Sequence, residues 1–448
     1  MTRPIDRRSF VQQATGAGAA LSLSLAGPLT RNVLGANDRV RVGAIGCGRQ
    51  AQSNMKAFQK GGAEIAAVCD VYDANLAKGK AVAGEAAATC KDFRRVLDDK
   101  TIDMVIVATP DHWHALPTVM ACQAGKDVFV EKPVAVSVEE GKAMLAAARK
   151  HQRVVQVGLW QRSNAHFQRA VEVVRSGLLG KVTYVRAWNY SNSSPVGMGS
   201  VPDSDPPAGL DWDMWLGPAP KVPFNANRFG VRDDRWSTFR FFWDYANGML
   251  GDWGVHHLDI VQWALETPGP RTVSCVGQKH ALQENGDSPD TQTATFEYEG
   301  FLCNYEYRAA NANSMFAKGY GLLFHGSEAT MLVNRSGFEV FPETRKGKDD
   351  KDVARSASMK MDEVDNGLEN HAANMLECLR TRKRPACDIE DGLRSSATCL
   401  LGVVALRTGE RIEFDAAKLE LKNPSAAAKR LFGREYRAPW TLSGSARA

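Results

Sequence analysis

The 448-residue chain has no run of about 18 apolar residues, so no helical membrane span is expected. No C-x-x-C pair occurs among its nine cysteines, and they do not look like a disulfide framework. Cys47, Cys69, Cys122 and Cys303 instead sit in or beside apolar runs and read as buried free thiols. Excess charge is small: 56 Lys and Arg stand against 51 Asp and Glu, a net +5. No basic stripe interleaved with aromatics stands out, so nucleic acid is not expected as a partner. There is no internal repeat. No further histidine or cysteine joins Asp252 and His256 at convincing ligand spacing, so no metal is expected.

What the chain does have is a glycine turn. The β-like run Val40 to Ile45 ends in Gly46-Cys47-Gly48-Arg49-Gln50-Ala51, a G-x-G-x-x-A, and a helix-compatible stretch follows from Ser53 to Lys60. Gly46 permits the tight strand-to-helix turn. Gly48 lets the backbone approach a pyrophosphate, and Ala51 lets the helix pack closely on the strand. The helix N-terminus then presents free N–H groups and a partial positive charge to the phosphates. A second apolar run, Ile65 to Cys69, closes at Asp70. That is about 20 positions after the glycines, where a ribose-binding carboxylate belongs. The alternative is a plain glycine turn with an incidental Asp.

Strand-like runs at Val40–Ile45, Ile65–Cys69, Asp103–Ala108, Asp127–Val130 and Arg153–Val157 alternate with helical spacing, as in Ser137 to Arg149. This alternation predicts a parallel sheet covered on both faces, with ligands beyond the carboxyl ends of the strands. Past Gly158 the texture changes. An amphipathic helix, about Ala165 to Ser176, precedes a strand at Val182–Tyr190. Residues 191–247 form a long irregular stretch with Trp212, Trp215, Trp236 and Trp243, four of the ten tryptophans, and Arg228, Arg232, Arg235 and Arg240. It reads as a sugar-lining surface or as a satellite core or subunit contact. Runs at Arg271–Lys279, Thr291–Tyr298, Leu302–Tyr307, Gly321–His325 and Ala329–Val333, joined by hairpin-like turns, predict an antiparallel sheet. Charged residues 345–365 read as a mobile loop, and the tail, residues 422–448, as a wrap around a partner subunit. The expected fold class is therefore α/β: an N-terminal Rossmann dinucleotide-binding domain, 37–158, and a C-terminal α+β domain on a largely antiparallel sheet, 159–448.

Two strand ends carry motifs: Thr109-Pro110-Asp111-His112-Trp113-His114 and Glu131-Lys132-Pro133. With the glycine turn, T-P-x-x-x-H and E-K-P in this order resemble the Gfo/Idh/MocA oxidoreductases. Asp252-Trp253-Gly254-Val255-His256-His257-Leu258-Asp259 resembles the family's D-x-G-x-H-x-x-D segment. On a helix, Asp252, His256 and Asp259 share a face, while Val255, Leu258 and Val261 share another. A pure cap at Asp252 and a structural His256 are the plain alternatives.

The resemblance implies that NAD or NADP carries the hydride, and that the antiparallel sheet forms a homodimer or homotetramer interface. It implies catalytic roles for Lys132, His256 and Asp252. Lys132 would polarise the reacting oxygen, His256 would be the acid/base, and Asp252 would bind substrate or assist proton transfer. It places Gly46, Cys47, Gly48, Arg49, Gln50, Asp70, Thr109, Pro110, His114, Glu131 and Lys132 against the cofactor. Trp113, Arg162, Asp252, His256 and, from the aromatic stretch, Trp243 are expected on the substrate, a small carbohydrate or cyclitol. Asp70 favours NAD, since a carboxylate repels a 2′-phosphate, although Arg49 could reach that phosphate.

The N-terminus adds a location. Arg7-Arg8 with a weakly apolar run to about Ala26 resembles a twin-arginine export signal, with residues 1–36 outside the fold. An exported, periplasmic enzyme without fresh cofactor is expected to close its redox cycle on tightly held NAD. It would oxidise one sugar and reduce another, as glucose–fructose oxidoreductase does. Alternatively it would act as an NAD-dependent glycosidase or lyase by transient oxidation and elimination. A noncatalytic sugar-binding protein with structural nucleotide is the third reading.

Overall fold

The computed structural model describes residues 39–231 and 237–442. The twin arginines, Arg232, Arg235 and Trp236 lie outside the described residues.

Strands β1 (Arg41–Ile45), β2 (Glu64–Cys69), β3 (Ala88–Cys90), β4 (Met104–Val107), β5 (Asp127–Val130) and β6 (Val155–Val157) form a parallel sheet in the order β3-β2-β1-β4-β5-β6. The expected strands are all present. β3 is added at the edge; its three residues are largely exposed and carry no apolar run to reveal it. β4 shows why the central strands read as continuous apolar runs. Met104 and Ile106 enter one core and Val105 and Val107 the other, so both faces are buried.

One of those cores is completed from far along the chain. Helix Gly367–Thr381 brings Ala372, Met375, Leu376 and Leu379 onto Met55 and Phe58 of helix Arg49–Lys60. The core of the first sheet is thus shared with a helix that follows the second sheet in sequence. The chain reverses its direction across the sheet between β1 and β4, which opens a crevice at their carboxyl ends.

The second sheet comprises β7 (Val182–Tyr190), β8 (Thr272–Gln278), β9 (Thr291–Glu297), β10 (Leu302–Arg308), β11 (Tyr320–Gly326), β12 (Ala329–Asn334), β13 (Gly337–Pro342), β16 (Met359–Asp362), β17 (Ile412–Asp415) and β18 (Glu420–Lys422). β14 (Thr344–Lys346) and β15 (Asp352–Ala354) form a separate hairpin. The order is β16-β13-β12-β11-β7-β10-β9-β8-β17-β18, antiparallel except for β7 beside β10. Segment 345–365, expected as a loop, thus supplies β15 and the edge strand β16. Helices Val255–Ala264 and Ile389–Thr408 join the core on one face of the sheet, with Val185, Ala187, Ala294, Phe296 and Tyr305. The register puts exposed Tyr184, Val276 and Leu302 together on the other face.

The aromatic stretch folds as a satellite core. Trp215, Leu216, Phe224, Phe229, Phe242 and Tyr245 are buried together, with Trp212 stacked on Trp215 at 4.7 Å. The tail returns to its own chain. Phe432 is buried against the main core, and Trp440 meets Trp113 edge-on at 4.9 Å. All nine cysteines are free thiols, with Cys90 half-buried and the others buried.

Candidate active site

A cavity of about 1260 Å³ runs from the carboxyl ends of β1 and β4 towards the second sheet. Small-molecule pockets are usually about 300–1,000 Å³. This one has room for a dinucleotide and a further small molecule.

Its first end is built from backbone. Gly46 has φ +89°, and a Cβ there would lie 2.5 Å from the Ala108 carbonyl oxygen, so a side chain does not fit. At Gly48 a Cβ would meet no atom of the described residues within 4 Å, so among them the space above the N-terminus of helix Arg49–Lys60 is open. Gly46, Gly48, Arg49, Gln50 and Ser53 line it. Asp70 lines the same end, and its carboxylate accepts from the N–H groups of Cys47 at 2.8 Å and Tyr72 at 2.9 Å. Burial pushes the Asp70 carboxyl up to about 6 against the pull of these donors. The open helix end, the bare glycine and the fixed carboxylate fit a dinucleotide. Cys47 requires a correction. Its N–H is committed to Asp70, its Sγ faces the Cys69 carbonyl, and it does not line the cavity. It positions Asp70 and does not face the cofactor space.

The loops after β4 and β5 form the next stretch. Thr109, Pro110, Trp113, His114, Glu131 and Lys132 all line the cavity. His114 ties the two loops together, its ring nitrogens facing the carbonyls of Pro133 at 2.7 Å and Thr109 at 3.0 Å. Trp113 is held by its indole N–H, which donates to the Trp215 carbonyl at 2.8 Å. Asn54 donates to Glu131 at 2.9 Å, and burial pushes that carboxyl up.

The far end is built from charge. Lys132 Nζ donates to Asp252 Oδ1 at 2.6 Å and to the Asp252 carbonyl at 3.1 Å. Arg240 Nε stands 3.2 Å from Asp252 Oδ2. Burial pushes the Asp252 carboxyl up, but the charges of Arg240 and Lys132 outweigh it and hold the group below the usual carboxylate range. His256 lines the cavity beside these groups, and among the described residues its Nδ1 has no protein partner. Burial pushes the imidazole well below its ordinary value, and the positive charges of Arg335 and Lys132 reinforce this, so the ring is neutral.

Asp252 lies in a π-helical turn, Leu250–Gly254, directly before helix Val255–Ala264, and its side chain caps neither. The helical face expected to hold Asp252, His256 and Asp259 is thereby split. Asp259 turns into the core and takes Arg162 Nη2 at 2.8 Å, Arg162 Nε at 2.9 Å and Ser395 Oγ at 2.8 Å. This corrects the expectation for Arg162, which is consumed in a buried ion pair outside the cavity lining. Trp243 is also corrected. It lies outside the lining, with Arg407 over its ring at 5.5 Å.

Several lining residues were not picked out from sequence. Asp111 lies inside T-P-x-x-x-H but was passed over for its neighbours. Arg240 was visible only as one arginine of the aromatic stretch. Trp160 and Arg335 lie against each other, the guanidinium 4.6 Å from the ring, and Arg335, at the β12–β13 turn, carries no local signal. Among the described residues there is no group of three or more His, Cys, Asp or Glu suited to a metal, and no helix is long and apolar enough to cross a membrane.

A glycine turn on a parallel sheet, with lysine, histidine and carboxylate converging beyond it, defines a dinucleotide-dependent oxidoreductase fold. The chain belongs to the Gfo/Idh/MocA family. Residues 40–159 match its NAD-binding Rossmann fold, and residues 163–347 and 348–442 its C-terminal alpha/beta domain. Inositol 2-dehydrogenase of Salmonella typhimurium is 27% identical over 161 residues, 35% of this chain and 47% of that protein. The chain spans only 28% to 49% of the length of the first curated relatives it matches. Two solved structures share the fold. Levoglucosan dehydrogenase with NADH and levoglucosan has TM-score 0.63 and 18% identity, covering 84% of this chain and 99% of that one. Aldose-aldose oxidoreductase from Caulobacter crescentus has TM-score 0.61 and 19% identity, covering 84% and 100%.

Proposed function

We propose that the protein is an NAD-dependent oxidoreductase acting on a sugar, cyclitol or glycoside. The observation that carries this reading is the contact between Lys132 and Asp252 beside a neutral, unpaired His256, in the cavity that the glycine turn opens. Bound nicotinamide supplies the hydride acceptor. Asp252 fixes Lys132, whose ammonium binds the substrate oxygen and stabilises negative charge on it. His256 takes the hydroxyl proton at a ring nitrogen, a step for which a neutral imidazole is needed. The relatives named above support a polyol-like substrate.

Asp70 supports NAD over NADP, because its carboxylate repels a 2′-phosphate. Equal or tighter binding of NADP by purified protein would refute that preference. The twin-arginine segment supports export to the periplasm, and export supports a closed redox cycle on retained cofactor. A protein of the same fold is named an aldose–aldose oxidoreductase, which is consistent with such a cycle. The exposed Tyr184, Val276 and Leu302 face supports a homo-oligomer formed sheet to sheet.

The test is protein purified without added cofactor, its absorbance spectrum, and turnover of a panel of sugars, cyclitols and glycosides after extensive dialysis. Turnover without added NAD supports the closed cycle, whereas apo protein that needs a continuous supply rules the cycle out. No turnover of any member, with cofactor bound, leaves a noncatalytic binding protein as the answer.

A further inference from the structure

Arg335 is a charged group at the site that the chemistry above does not use. Its guanidinium is held between two indoles, 4.6 Å from the Trp160 ring and 4.5 Å from the Trp253 ring. Its Nε donates to Gln161 Oε1 at 3.3 Å, and among the described residues its terminal nitrogens have no protein partner. Arg335, Trp160 and Trp253 all line the cavity. Both rings also flank His256, at 6.4 and 6.1 Å, so the guanidinium stands at the reacting end.

Burial there disfavours the cation, and Asp252 and Glu363 act on it only through space, with no direct ion pair. Cation–π contact offsets part of that cost and fixes the plane of the fork without using its N–H groups. The balance of charge points the same way. Lys132, Arg240 and Arg335 surround one firmly ionised carboxylate, Asp252. Asp111, also in the lining, is pushed up to about 7 by burial. Glu284 is engaged elsewhere, accepting from the Met198 N–H at 2.9 Å with Lys279 at 3.8 Å. Of the other carboxylates lining this part of the cavity, Glu131 accepts from Asn54 and is pushed up by burial, Asp365 accepts from the Ala165 N–H and the amides of Asn164 and Asn370, and Glu363 is left. The reacting end therefore has spare positive charge and a planar, preorganised fork, which suits a carboxylate.

We propose that Arg335 recognises a carboxylate on the substrate, and that the substrate is an acidic sugar, a uronate or aldonate. This rests on the oxidoreductase reading above and narrows its substrate class. A phosphate of the cofactor is the other source of the same chemistry, and the test separates the two.

Cofactor-loaded protein is titrated by calorimetry with D-glucuronate, D-galacturonate, D-gluconate and their neutral counterparts, and kcat/KM is measured on the same panel. The wild type is expected to bind at least one acid more tightly than its neutral counterpart. Arg335→Gln is expected to reduce that preference about 10- to 100-fold, the worth of a hydrogen bond to a charged group. Arg335→Lys should restore part of it, since it keeps the charge and loses the fork. A wild type that binds neutral sugars as tightly as acids overturns the proposal, and it needs no variant to fold. So does an Arg335→Gln protein that loses as much affinity for NAD as for the acid, because the cation then serves the cofactor. Tight acid binding that depends on Arg335, without turnover of any sugar, leaves the carboxylate site standing and removes the oxidoreductase reading.

Discussion

The two ends of the cavity are built in opposite ways. The dinucleotide end is local and made of backbone: Gly46, Gly48 and the first turn of helix Arg49–Lys60 are neighbours in sequence, and Asp70 is locked by main-chain N–H groups. The reacting end is assembled from distant side chains: Lys132 after β5, Arg240 in the aromatic stretch, Asp252 and His256 at a π-turn, and Arg335 between β12 and β13. The first end depends on what is small, and the second on how charges balance. The two should therefore fail differently when altered.

The largest expected effect is at the reacting end. Lys132→Met removes the cation that touches Asp252 and that the proposed chemistry sets on the substrate oxygen, and leaves the glycine turn untouched. Loss of one well-placed proton-transfer or charge-stabilising group costs about 10² to 10⁴ in rate. Turnover should fall by that factor while the affinity for NAD, read by fluorescence titration, changes little. Near-normal turnover would end the assignment of Lys132.

Next comes the buried Arg162–Asp259 pair, of which sequence placed Arg162 in the site and the structure places both behind it. Arg162→Met leaves Asp259 buried without its cation, a change worth about 3–5 kcal/mol of stability. Thermal unfolding should show a large drop in Tm, and residual folded protein should keep its NAD affinity. If stability holds and substrate KM rises instead, Arg162 belongs in the site after all.

This pair also shows what was legible in sequence. The dinucleotide end was readable because its demands are carried by consecutive residues: two glycines at fixed spacing, then an acid at the end of the next strand. Lys132, Asp252 and His256 were readable through resemblance of short motifs. Arg162 was misplaced because the resemblance named it without its partner: Asp259, split from Asp252 by the π-turn, draws it into the core. Trp243 was misplaced because aromatic content does not separate a cavity wall from a core, and Trp243 packs against the main one. Arg335 was invisible because nothing near it in sequence records the two indoles it meets. The strand pattern of both sheets was largely legible, since alternation is local. The return of helix Gly367–Thr381 to the first sheet was not, since an amphipathic helix does not name its partner.

The glycines sharpen the contrast between ends at smaller scale. Gly46→Ala puts a Cβ 2.5 Å from the Ala108 carbonyl oxygen at φ +89°, so the turn must shift. Strain of this kind costs about 1–3 kcal/mol, and Tm should fall. Gly48→Ala meets no protein atom within 4 Å, so Tm of the cofactor-free protein should stay the same while NAD affinity falls. Equal NAD affinity in Gly48→Ala and wild type would show that the pyrophosphate lies elsewhere.

The smallest expected effect is at Asp111, where the two ends meet. It follows β4, as the dinucleotide loops do, yet its charge is felt by Lys132, Asp252 and Arg240. Only 8% of its surface is exposed, and burial is the main cause that pushes its carboxyl from 3.8 up to about 7. The folded protein thus holds this proton more tightly than the unfolded chain does. The stability linked to Asp111 is full below about 4, declines as pH rises, and is lost once pH passes about 7. Asp111→Asn keeps the shape and cannot ionise, so it escapes that decline. Measured against wild type, its Tm should compare more favourably at pH 8 than at pH 5. Lys132 and Arg240 favour the ionised form, and water in the open cavity lessens the cost of burial, so the difference should be only on the order of 1 kcal/mol. An unchanged Tm difference between the two pH values would mean that Asp111 is ionised across the range and belongs with the charge network of the reacting end.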